Sequence, residues 1–98
     1  MTAKHDTGHQ KTRRYLFLGR VQGVGFRYTT AELAQFAGVR GYVRNRSDGS
    51  VELVAQGSEK EIDQLLEQLG EHFAGNIEKR TEEDLGGGER FSGFEVRR

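Results

Sequence analysis

The stretch Gly19-Arg20-Val21-Gln22-Gly23-Val24-Gly25-Phe26-Arg27 constrains this chain more than any other. It follows the apolar run Tyr15-Leu16-Phe17-Leu18 and leads into a helix-like segment, Tyr28 to Ala37. The junction therefore reads as strand, glycine turn, helix. Glycines let the backbone turn tightly and aim several N–H groups at one spot. A helix N-terminus adds free donors and a partial positive charge. Arg27 adds a planar, permanently charged fork that matches phosphate. A cation in a first helical turn opposes the macrodipole, and an anion bound there relieves that strain. The glycine spacing is not that of a P-loop, because no Gly-Lys-Ser/Thr follows, and it is not a dinucleotide fingerprint. By spacing alone, a simple turn and an anion cradle both stay open.

A second segment narrows the choice: Gly41-Tyr42-Val43-Arg44-Asn45-Arg46-Ser47-Asp48-Gly49-Ser50-Val51, closed by Gly57. Together the two blocks closely resemble the signature segments of the acylphosphatases, in that family's order and at its usual separation. The resemblance covers residues 13 to 98, is dense from 19 to 57, and loosens after about 70. It implies a ferredoxin-like fold and hydrolysis of acyl phosphates without a cofactor or metal. It also matches Arg27 to the family's phosphate-binding arginine and Asn45 to its water-orienting asparagine. Taken alone, Asn45 reads first as the residue that starts the turn at Ser47-Asp48-Gly49. One departure lies beside it: Arg46 stands where relatives tend to carry Thr or Leu, which makes the pocket rim more basic.

Ninety-eight residues make one domain with a small core. Charged residues are 31% of the chain and apolar residues 34%, so the core is lean and the surface heavily solvated. Fifteen Lys and Arg balance fifteen Asp and Glu, which argues against bulk nucleic-acid binding. The absence of cysteine excludes a disulfide scaffold, a thiolate nucleophile and a cysteine metal site, and fits a reducing compartment. No apolar run exceeds four residues and Met1 to Gln10 is polar, so we expect neither a membrane span nor a secretory signal. A cytoplasmic monomer is the expectation.

Residues 1–12 read as a disordered leader, in which His5 and His9 are solvated rather than metal-bound. Residues 13–98 read as the domain. The first strand is expected over 14–20, covered on both faces because its apolar run does not alternate. Helix one is expected over 27–37, with Leu33, Ala34, Phe36 and Ala37 packing and Gly38 closing it. Strands two and three follow at 40–46 and 50–56, the latter with a single buried face. Ser58 and Glu61 form a capping box that opens helix two. Ile62, Leu65, Leu66, Leu69 and Phe73 make its core stripe. A poorly patterned fourth strand at 76–81, a Gly86-Gly87-Gly88 loop and a short strand at 91–97 complete a βαββαβ plan with one added strand: an α+β, ferredoxin-like sandwich with two helices on one face of a mostly antiparallel sheet.

The motifs offer anion binding without an evident general acid, base or nucleophile. Asp48 is their only carboxylate, and its place in the turn accounts for it. Acyl phosphates suit such a site, because their carboxylate leaving group departs unprotonated. We therefore read Gly19, Arg20, Val21, Gln22, Gly23, Val24, Gly25 and Phe26 as a backbone cradle for the substrate phosphate. Arg27 is the phosphoryl anchor and Asn45 the water-orienting amide. Two rivals use the same fold. An RNA-recognition module would need aromatics on strand three, and Ser50 to Gln56 has none. A carbamoyl-phosphate binding domain would resemble the first domain of hydrogenase-maturation carbamoyltransferases, whose zinc-finger cysteines and transferase portion are missing here.

Overall fold

The computed structural model describes residues 10–98. The leader and the His5/His9 pair lie almost wholly outside these. Seven elements follow in order: β1 (Lys11–Gly19), α1 (Phe26–Ala37), β2 (Arg40–Asn45), β3 (Val51–Gly57), α2 (Glu59–His72), β4 (Ile77–Asp84) and β5 (Phe94–Arg97). The sheet order is β4-β1-β3-β2-β5. All neighbours are antiparallel except β2 and β5. This is the ferredoxin-like plan with a short parallel strand added at the β2 edge. Both helices lie on one sheet face. Among the described residues no helix is long and apolar enough to cross a membrane.

Pleating sorts the residues. Tyr15 and Phe17 of β1, Val43 of β2, and Val51, Leu53 and Ala55 of β3 point into the helix layer and are buried. Ile62, Leu65, Leu66, Leu69 and Phe73 meet them from α2, as the helical stripe predicts. Ser58 accepts from the Glu61 N–H at 3.1 Å while Glu61 accepts from the Ser58 N–H at 2.9 Å, closing the expected capping box. The N–H of Gly38 bonds back to the last turn of α1.

Four expectations need correction. The first strand begins at Lys11, and its face away from the helices is covered only near that end, where Thr12 is buried; at the other end Leu18 is 39% exposed because both helices sit on the opposite side. In α1 the buried row is Phe26, Thr30 and Ala34, four residues apart, whereas Phe36 points outward at 81% exposure. In β3 both faces are buried: on the far side residues 85–91 fold back over Val54 and Gln56, while Arg14 and Arg44 cover Glu52. There Gln56 donates to the Glu89 carbonyl at 2.7 Å and accepts from the Phe91 N–H at 3.0 Å. Finally, β4 runs to Asp84, through an acidic stretch that looks unsuited to a strand. Cross-strand pairing explains it: Arg14 meets Glu83 at 2.7 Å and Arg13 meets Glu82 at 3.5 Å.

Candidate active site

The glycine loop leaves β1 through a bulge at Leu18/Gly19. Gly19 has φ 124°, and a Cβ there would lie 2.3 Å from the Asn76 carbonyl oxygen, so only glycine lets the loop lean on the start of β4. The Arg20 N–H donates to that same carbonyl at 2.9 Å, and Asn76 Nδ2 donates to the Arg20 carbonyl at 3.0 Å. Gly19 and Arg20 therefore anchor the loop, and the Arg20 N–H is already spent. Val21 is fully buried and plugs the core. Gln22 reaches across to the β2–β3 turn, where its Nε2 donates to the carbonyls of Arg46 (2.8 Å) and Ser50 (2.9 Å).

Beyond these anchors Gly23, Val24 and Gly25 are exposed. Gly25 is the N-cap of α1 at φ 84°, a left-handed conformation that a side chain would oppose. Phe26 then drops into the core, 5.1 Å from the Phe17 ring and 4.7 Å from that of Phe73. Among the described residues no side chain caps α1, and its first turn holds no acidic residue. Its leading N–H groups are thus left for another acceptor. Arg27, half-buried in this turn, donates from Nη1 to the Arg97 carbonyl at 3.0 Å.

Asn45 ends β2 opposite Val51. By strand alternation it faces the helix layer, as Val43 does. Its Oδ1 is buried and makes no hydrogen bond within the described residues. A buried amide oxygen without a partner is costly unless something donates to it. Arg46 N–H and the Ser50 carbonyl close the hairpin at 2.9 Å. Asp48 is committed to that turn. The Ser50 hydroxyl (2.6 Å) and N–H (2.9 Å) donate to its Oδ1, holding the carboxyl below the usual range. Among the described residues no cluster of three His, Asp or Glu side chains is placed to hold a metal ion.

The structure thus brings the loop, the α1 N-terminus and the β2–β3 turn into one network through Gln22, and brings Arg27 to the end of β5. Two contacts were invisible in the sequence: the Gln22 side-chain bridge, which we read only as backbone, and the Arg97 carbonyl, whose partner is seventy residues away.

A family model described as Acylphosphatase matches residues 13–96. An acylphosphatase from Pasteurella multocida is 45% identical over 87 residues, spanning 87% of this chain and 96% of that protein. The crystal structure of an acylphosphatase from Bacillus subtilis superposes with a TM-score of 0.81 at 28% identity, covering 90% of this chain and 99% of the other. One from Coxiella burnetii gives 0.80 at 32% identity, covering 92% and 95%.

Proposed function

The chain belongs to the acylphosphatase family, hydrolases that split an acyl phosphate into a carboxylate and inorganic phosphate, and from that premise we propose which of its groups do the work. The free N–H groups from Gln22 to Phe26 and the first turn of α1 cradle the phosphoryl group. Arg27 clamps its oxygens. Asn45 Oδ1 accepts a hydrogen bond from the attacking water and so aims a lone pair at phosphorus. Gly19, Arg20 and Val21 hold the cradle in shape.

The reaction balances without a proton passing through the protein. An acyl phosphate dianion and one water give a carboxylate and dihydrogen phosphate. The water oxygen bonds to phosphorus, the bond from phosphorus to the carboxyl oxygen breaks, and its electron pair leaves on the carboxylate. Both water protons end on the phosphate. What remains for the protein is positioning and charge stabilisation, which fixed N–H donors and one guanidinium provide. A site without a free carboxylate or a nucleophile fits that demand.

The observation that carries this reading is Asn45: among the described residues its buried Oδ1 lacks a donor, at the strand end that Gln22 ties to the glycine loop. Turnover of benzoyl phosphate tests it. Asn45→Ala should lower kcat on the order of a hundredfold or more, with a smaller change in KM. Parent-like kcat would remove Asn45 from the mechanism. The sequence supports two further parts of the reading, a monomer and a cytoplasmic location, and light scattering of the purified protein tests the first.

A further inference from the structure

We propose that the Gln22 side-chain amide is a positioning residue for hydrolysis, fixing the glycine loop against the strand end that carries Asn45. The inference rests on the reading of Asn45 given above.

The bonding is complete and local. Gln22 Nε2 has two N–H groups, and both are spent, on Arg46 O at 2.8 Å and Ser50 O at 2.9 Å. Those carbonyls flank the base of the hairpin, where the Arg46 N–H also donates to Ser50 O at 2.9 Å. One amide therefore bridges the loop to the last residue before the turn and the first after it. Asp48, by accepting from Ser50, stiffens the same turn. Arg46 is bonded to Asn45, so any shift of this knot moves the amide that aims the water.

The loop needs such a fixed point. After Gln22 come Gly23, Val24 and Gly25, all exposed, and a Cβ at either glycine would touch nothing within 4 Å. The next anchor is the Phe26 ring in the core. Between these two anchors the cradle is held by backbone preference alone. A backbone N–H can come from any residue type; only the side chain accounts for a glutamine. The phosphoryl group sits on the loop and the water on Asn45, so the Gln22 bridge sets the distance between the two reacting partners. Misplacement by an ångström can cost up to about a hundredfold in rate.

The test is a double-mutant cycle on the full chain with benzoyl phosphate, well below the unfolding midpoint. Gln22→Met keeps the length and removes both donors. We expect kcat to fall about tenfold, while KM and inhibition by inorganic phosphate move less than about threefold. In the Asn45→Ala background Gln22→Met should then cost less than about threefold, because the water it helps to place is no longer held. Gln22→Glu gives a second readout. Its carboxylate would face two carbonyl oxygens, so activity should recover relative to the parent as pH falls and the acid regains a donor.

Unchanged kcat in Gln22→Met overturns the proposal, as do effects that multiply in the double mutant, or a lowered melting temperature with intact turnover. Parent-like turnover from Asn45→Ala would instead overturn the Asn45 assignment, and the coupling with it. The two failures are therefore distinguishable.

Discussion

Arg27 Nη1 donates to the main-chain carbonyl of Arg97 at 3.0 Å, so the last strand aims the guanidinium that stands in the first turn of α1. Without that acceptor a long side chain there would sample many rotamers. The carbonyl occupies one edge of the fork, and in the proposed mechanism the others meet phosphoryl oxygens.

Arg27→Lys separates charge from geometry. Lysine keeps the charge but is a point donor without a planar fork. It cannot serve Arg97 O and two phosphoryl oxygens in the arginine geometry. We expect kcat/KM on benzoyl phosphate to fall on the order of a hundredfold, with the melting temperature little changed. Arg27→Ala should fall further still.

Gly25→Ala tests the helix start. A Cβ there meets nothing within 4 Å, so the whole cost is the left-handed backbone at φ 84°. Urea unfolding should show a loss of about 1–2 kcal/mol. Because the loop relaxes by turning its N–H groups, inhibition by inorganic phosphate should weaken as well, which a purely structural cost would not cause.

Glu52 gives a pH dependence away from the site. It is buried on the sheet face opposite the helices and bonds Arg44 through one oxygen and Arg14 through the other, at 2.7 Å. Burial alone would raise its pKa; the hydrogen bonds from Arg44 and Arg14 outweigh it and hold the carboxyl below its ordinary value. The group therefore stabilises the fold at pH values above its unfolded pKa, and this contribution fades as pH falls through the lower folded value. Urea midpoints should drop on acidification from pH 6 to 3. Glu52→Gln should lower the midpoint at pH 6 and flatten that slope.

Much of this was legible because the chemistry is local. The capping box at Ser58 and Glu61, the stripe from Ile62 to Phe73 and the turn at Ser47-Asp48-Gly49 each declare themselves within a few residues. The roles proposed for Arg27 and Asn45 draw on two long motifs that occur together; Arg27 also stands out as a cation in a first helical turn, whereas spacing alone left Asn45 as a turn residue. What escaped depends on distant partners. β4 looks unlike a strand until Arg14 is set opposite Glu83 and Arg13 reaches Glu82 on the diagonal. The second buried face of β3 exists because residues 85–91 return over Val54 and Gln56 and two arginines close over Glu52. Phe36 looked like core by composition, yet the helical phase set by Phe26, Thr30 and Ala34 turns it outward. The role of the Gln22 side chain appears only when the loop and the hairpin are seen together.

In the proposed mechanism backbone donors and one guanidinium at the start of α1 hold the phosphoryl group. A crystal soaked in inorganic phosphate tests it most directly. The ion should lie at the N-terminus of α1, within hydrogen-bond distance of loop N–H groups and of Arg27, with a water on Asn45 Oδ1. A loop empty of phosphate at saturating concentration, with Arg27 turned away to solvent, would contradict it.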